Sequence, residues 1–439
     1  MSRDLARTLD LKDLVLVVIG TVIGSGIWLV PGAVLRNTGG DPGLALVVWL
    51  VGGVFSMLGA LTFAELGAMY PESGGSYTYV REAFGPLPAF LLGWTLFLAI
   101  NTGSIATLAV AFANYTGEFA TLGNGGRKVV AIAMIAAVAA VNIRGTRHAA
   151  AVQNWSTGGK VAAILALAAS SLILGSGGPT TVSRAFTVPV SGSVLSGAGV
   201  ALLGVLWAYE GWVNVTNSAG EARDPQRTFA RGIIIGTAAL VAIYLMANVG
   251  YLVALGPDRV AGSSRVAADA VRALFGPVAA KLVGAAVLVS VFSATNGLSL
   301  TSPRTFFAMA RDGVFFSKLA QVHPRFGTPA VAILASAVWA ALLTLTGTFE
   351  QLFTYVVFAS WLFAGLAAAG IFVLRRRRPD APRPFRVPGY PLTPALFIAA
   401  ATVVVANTFV ARPVQATAGM GIVLLGTPAY LYWKRVPRA

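Results

Sequence analysis

The sequence predicts an all-α membrane protein with twelve spanning helices, the first and sixth of them unwound at mid-membrane. Three observations carry this expectation. Of the 439 residues, 56% are hydrophobic and only 11% charged. Soluble domains carry about a quarter charged residues, so this chain has too few to coat a water-facing surface and is too apolar for disorder. The apolar residues lie in continuous runs of about 20, the length a helix needs to cross a bilayer, without the alternation of barrel strands. Two of these runs are interrupted midway by glycine, one of them also by a carboxylate.

The runs are 13–36, 43–66, 87–116, 128–143, 154–175, 195–219, 230–255, 277–307, 329–347, 350–374, 391–411 and 414–433. The first is too long for a signal-peptide core and no cleavage-like site follows it, so it is expected to be retained. The longest polar stretches, such as 256–275 and 375–390, are too short for a soluble domain. Twelve spans put both termini on one side. With that side cytoplasmic, 22 of the 32 lysines and arginines face the cytoplasm and nine face outward, with Lys160 inside a span. This asymmetry follows the positive-inside rule and places both termini in the cytoplasm. The net charge of +16 then reflects topology rather than nucleic-acid binding. Arg375 to Arg378 read as a topology determinant or as an anionic-lipid patch.

Whole function classes drop out. With no cysteine there is no disulfide, thiolate nucleophile or cysteine metal site. The two histidines, His148 and His323, sit in polar connecting stretches, so neither a metal nor another cofactor is expected in the membrane. No nucleophile and base stand together, which argues against an enzyme. A channel needs a continuous polar path, and polar residues gather only at the two breaks.

The first break reads Gly20-Thr21-Val22-Ile23-Gly24-Ser25-Gly26-Ile27-Trp28, and each glycine costs a helix about 1 kcal/mol relative to alanine. Gly20 and Gly24 also fit a small-xxx-small packing face, which does not account for Gly24-Ser25-Gly26 in succession. The sixth span reads Trp207-Ala208-Tyr209-Glu210-Gly211-Trp212. Backbone groups freed by unwinding are tolerated in a membrane only where they line a cavity. Broken helices at corresponding positions of two halves mark a transporter built from inverted repeats. The expected division is 13–175 and 195–374, with 391–433 as an added pair. The amides of Ser25, Gly26 and Ile27 open a half-helix and favour a carboxylate. The carbonyls of Val22, Trp207, Ala208 and Glu210 favour a cation. A carboxylate and an ammonium held side by side describe an α-amino acid.

These residues resemble the L-amino acid transporter family of the amino acid/polyamine/organocation superfamily, most of all its bacterial serine/threonine exchangers. The resemblance covers nearly the whole chain. After Gly24-Ser25-Gly26 it runs through Phe63-Ala64-Glu65-Leu66-Gly67, Pro71, Gly74, Gly75, Tyr77 and Trp207 to Trp212. It continues in Gly220-Glu221-Ala222-Arg223-Asp224-Pro225, Asn296-Gly297, Ser302-Pro303-Arg304, Ala310-Arg311-Asp312-Gly313 and His323-Pro324-Arg325. Arg378-Pro379-Asp380 and Gly426-Thr427-Pro428-Ala429-Tyr430 close the set. The resemblance implies a LeuT-type five-plus-five fold with alternating access. It assigns the Gly24-Ser25-Gly26 amides to the substrate carboxylate and the Val22, Trp207 and Glu210 carbonyls to its ammonium. It puts the Trp207 ring where an aromatic gate stands, with Gly24 and Gly211 as the helix breakers.

Lys160 has two readings. It snorkels to the interface, or it is a buried ammonium beside the first break. The resemblance implies the second, with the lysine in place of a bound sodium and Ser293 and Thr295 as its hydroxyl partners. Ala294 stands where the family commonly has serine. Glu210 departs from the residues usual in relatives. It either bridges the unwound segment or contacts the substrate side chain. Glu65 is expected to be structural. Relatives that pair with a heavy chain carry a cysteine before the fourth span. Thr116 to Lys128 has none, so no disulfide-linked subunit is expected. The expectation is sodium-independent L-amino acid transport in the cytoplasmic membrane, small neutral substrates favoured, by exchange. A proton-coupled importer and a cationic amino acid or polyamine carrier using Glu210 are the alternatives.

Overall fold

Each of the twelve apolar runs forms helix in the computed structural model, which describes residues 10–71, 74–221 and 225–435. Arg3, Arg7, Arg223 and Arg438 of the charge asymmetry lie outside the described residues, as do Ala222 and Asp224 of the Gly220–Pro225 motif. The first run divides into α1 (Leu11–Val22) and α2 (Gly26–Asn37), which meet at 50°. After α3 (Pro42–Met69) and the short α4 (Ser76–Phe84), one span is built from α5 (Pro86–Thr95), a π-helical turn at Leu96–Ile100, and α6 (Asn101–Tyr115). Then follow α7 (Asn124–Arg144), α8 (Thr146–Leu174), the short α9 (Gly178–Arg184) and α10 (Gly192–Ala208). A 3-10 segment, Trp212–Glu221, continues α10 beyond the second break. The remainder comprises α11 (Pro225–Leu255), α12 (Pro257–Gly262), α13 (Val266–Phe275), α14 (Pro277–Thr301), α15 (Pro303–Arg311), α16 (Ala330–Thr346), α17 (Phe349–Arg377), α18 (Leu392–Ala411) and α19 (Pro413–Arg435).

Among the described residues ten helices are long and apolar enough to cross a membrane, eleven with the bent α1–α2 pair counted as one. The ninth run gives α16, shorter at 17 residues. Helix starts follow local chemistry. Asp10 and Asp13 form a capping box at α1, Asp41 caps α3 ahead of Pro42, and Thr348 with Gln351 boxes the start of α17.

Packing brings the breaks together. α11 lies along α3, α1 and α8, while α10 lies against α2. Two glycines of the first span allow close approaches. A Cβ on Gly26 would stand 2.4 Å from the Ala208 Cα, and one on Gly20 would stand 2.2 Å from the Thr157 Oγ1. Gly20 is inside regular α1, so of its two readings the packing one holds. The unwinding begins only after Val22.

Three of the four clustered arginines, though mostly at the surface, also bond to the protein. Arg375 grips the fully buried Glu65 with two hydrogen bonds, 2.9 Å to Oε1 and 2.6 Å to Oε2. The Val387 amide donates to the same Oε2 at 2.7 Å, and Arg383 stands 3.6 Å from Oε1. Arg377 donates to the Ala83 carbonyl, and Arg378 to the Tyr70 hydroxyl and Glu82. Glu65 thus ties the end of α3 to the end of α17 and to the loop that follows, a structural role. Asp312 accepts from the Tyr77 hydroxyl at 2.8 Å and from Arg81 at 2.7 Å, joining α4 to the end of α15.

Candidate substrate site at the two helix breaks

The first break is an inverse γ-turn. Ile23 has φ −69° and ψ 84°, and the Gly24 amide donates to the Val22 carbonyl at 2.7 Å. This turn swings the Ile23 carbonyl out of the helix line. On the far side, the Trp28 and Leu29 amides fold back onto the Ser25 carbonyl at 3.2 and 3.1 Å. The amides of Ser25, Gly26 and Ile27 have no backbone acceptor among the described residues, as the first turn of a helix requires. The predicted carboxylate donors are therefore free, and they sit at the positive end of α2.

The carbonyl ends are more committed. Val22 accepts both the Gly24 amide and the Tyr244 hydroxyl, the latter at 3.1 Å. The Tyr244 hydroxyl is also 3.0 Å from the Ala208 carbonyl, so one α11 side chain bridges the two breaks. The Trp207 carbonyl receives the Glu210 amide at 3.1 Å. Thr21, next along α1, turns its carbonyl toward Gly211, where an added Cβ would meet it at 3.1 Å. Gly211 has φ +122°, a conformation closed to other residues at low cost.

Lys160 is buried, and its ammonium donates to the Gly20 and Ile23 carbonyls, each at 2.8 Å. It does not snorkel. The hydroxyl that shares the Ile23 carbonyl with it is Ser290, at 3.3 Å. Ser293, one turn further on, bonds the Gln153 Oε1 at 3.1 Å and the Ser156 hydroxyl. Thr295 bonds the Val291 carbonyl of its own helix at 2.9 Å. Ser293 and Thr295 were expected to reach Lys160; the pitch of α14 turns them to α8 and to its own backbone, and puts Ser290 there instead.

Ser25, Gly26, Ser104, Trp207, Glu210 and Asn214 are among the residues lining a cavity of about 20 Å³ at the first break. The Trp207 indole N–H donates to the Ser25 hydroxyl at 3.3 Å. Its ring stacks on Phe353 (centroids 6.1 Å apart, 25° between planes) and meets Phe349 edge-on. Trp207, which lines this cavity, is thus backed by two phenylalanines. Glu210 and Asn214 line it and also a second cavity of about 50 Å³.

Sequence reasoning missed Tyr244, Ser290, Phe349 and Phe353. A tyrosine inside an apolar span was a usable signal, because a buried phenol requires a partner. Nothing local marks the two phenylalanines, which come from a helix distant in sequence.

The chain is similar to the serine/threonine exchanger SteT of Bacillus subtilis, 32% identical over 434 residues and 98% of each protein. It is 34% identical over 435 residues to the human large neutral amino acids transporter small subunit 2, covering 96% of this chain and 80% of that protein. The human cystine/glutamate transporter is 32% identical over 443 residues, 99% of this chain and 87% of that one. The family model described as amino acid permease matches residues 9–427. The chain belongs to the amino acid permease family.

Proposed function

We propose that the chain carries L-amino acids, small neutral ones above all, across the cytoplasmic membrane without sodium, by alternating access and exchange. The observation that carries this is the juxtaposition in one cavity of Ser25 and Gly26, whose amides are free, with Glu210. One end suits a carboxylate, the other an ammonium. Sodium independence is supported by Lys160, whose ammonium already supplies a positive charge to the Gly20 and Ile23 carbonyls. The proposed repeats are 13–175 and 195–374, each opening on a broken helix, with 391–433 as an added pair. The Lys and Arg asymmetry supports cytoplasmic termini. The absence of cysteine supports a transporter with no disulfide-linked subunit.

In proteoliposomes, labelled L-alanine uptake is expected to survive replacement of sodium by choline, to need the free carboxylate, and to rise when alanine is loaded inside. Equal uptake of alanine and its methyl ester would refute the carboxylate assignment. Proton-coupled import is the second reading. It is favoured by a buried lysine whose described hydrogen bonds go to carbonyls rather than to a carboxylate. Uptake driven by a pH gradient into empty vesicles would select it.

A further inference from the structure

With most of the arginine run engaged, the uncommitted positive charge lies elsewhere. Residues 304–325 carry Arg304, Arg311, Lys318 and Arg325 against one acid, Asp312. That acid is already held by Tyr77 and Arg81. No acid follows Asp380, while the chain closes on Lys434, Arg435 and Arg438.

Packing joins these two basic stretches through an aromatic seam. The Trp433 ring, at the end of α19, meets Phe316 edge-on with centroids 4.9 Å apart, and lies 5.6 Å from Phe315. Lys434 follows the tryptophan and Lys318 comes two residues after Phe316, so the two lysines flank one aromatic contact. Both are exposed, and neither ammonium has a hydrogen bond or ion pair among the described residues. The seam is anchored on its inner side. Phe315 is buried and meets Phe97 of the π-helical turn at 5.5 Å, and Trp433 also lies 6.0 Å from Phe90 of α5. On its outer side Phe316 is 55% exposed and Tyr432 66%. Exposed rings at a helix end are interface anchors in a membrane protein, and lysine stems lie along such apolar surface with the ammonium at headgroup level.

We propose that this seam binds an anionic phospholipid, its phosphodiester between Lys318 and Lys434 and the start of an acyl chain against Phe316 and Tyr432. Basic sites beside membrane helices capture anionic headgroups in this way. The topology argued above enters only in assigning this face to the cytoplasmic leaflet. A zwitterionic lipid offers the same phosphate but brings its own ammonium, which the two lysines repel. The site therefore selects for net charge, and each lysine is worth about fivefold in affinity.

The test uses the purified full chain in neutral detergent. Its thermal unfolding is followed during titration with phosphatidylglycerol, phosphatidylcholine or inorganic phosphate. Phosphatidylglycerol is expected to raise the unfolding midpoint at concentrations about tenfold lower than phosphatidylcholine, or better. In Lys318→Gln/Lys434→Gln that advantage is expected to fall to near unity. Lys434→Gln alone is expected to reduce it about fivefold, and decides the matter should the double variant not fold. Arg376→Gln removes an exposed cation of the arginine run and is expected to leave the advantage unchanged. Equal responses of the wild type to the two lipids overturn the proposal, as does an advantage that survives the lysine variants or is lost in Arg376→Gln. A matching shift with inorganic phosphate overturns the lipid assignment and makes the seam a free-anion site. None of these readouts uses transport, so their failure leaves the proposed function standing.

Discussion

The Lys160 ammonium lies 2.8 Å from the carbonyl oxygen of Ile23, the residue at which the first span leaves its helix. The inverse γ-turn and the lysine explain each other. The turn exposes a carbonyl that no helix amide can satisfy, and a charged donor from α8 satisfies it. The first break is therefore held from behind by a side chain 137 residues away.

Lys160→Ala removes that donor and leaves the Gly20 carbonyl without the ammonium too. We expect a loss of about 1–3 kcal/mol in stability and a fall in initial uptake rate of about tenfold or more. Thermal unfolding and initial rates measured together check this. Wild-type rates with a stability loss alone would make Lys160 purely structural.

Tyr244→Phe keeps the ring against Trp49 and Tyr209 and deletes only the bridge between the Val22 and Ala208 carbonyls. We expect a cost of about 1–2 kcal/mol and a larger effect on turnover than on KM, because the bridge sets how the two breaks sit together. Concentration-dependent uptake separates the two effects.

Gly26→Ala places a methyl 2.4–2.5 Å from the Cα and Cβ of Ala208. Backbone cannot yield as a flexible side chain does, so the helices must part. Uptake is expected to disappear and the unfolding temperature to fall, and Gly26→Val is expected to be worse in both. Size-exclusion behaviour and uptake of the two variants test the order.

Glu65→Ala strands Arg375, Arg383 and the Val387 amide beside a buried hole. Breaking one side of a buried pair costs about 3–5 kcal/mol. The expected result is poor folding in detergent, partly restored when Arg375 is also made apolar.

Asp41 gives a pH signature. Burial raises the pKa of its carboxyl, but hydrogen bonds from the Leu44, Phe186 and Val188 amides outweigh that and hold it below its ordinary value. A carboxyl with a lowered native pKa adds stability that is complete above its unfolded pKa of about 3.9 and is lost as pH falls through the native value. Asp41→Asn is expected to flatten that part of the acid unfolding curve between about pH 5 and pH 2 while lowering stability at neutral pH.

The sequence by itself determined the membrane class, the helical runs, the two breaks and the free amides of the first one. Those features are local: apolar length sets a span, and Gly24-Ser25-Gly26 in succession weakens a helix at that point. It also singled out Lys160 beside the first break and Glu65 as a structural residue. Tertiary structure decided the partners. Ser290 rather than Ser293 shares the Ile23 carbonyl with Lys160, Tyr244 takes the Val22 carbonyl expected for substrate, and three of the four clustered arginines are spent on Glu65, Ala83, Tyr70 and Glu82. Each outcome depends on the rotation of one helix against another distant in sequence. That rotation is fixed by close approaches such as Gly26 on Ala208 and Gly20 on Thr157, and a single helix's periodicity does not encode it.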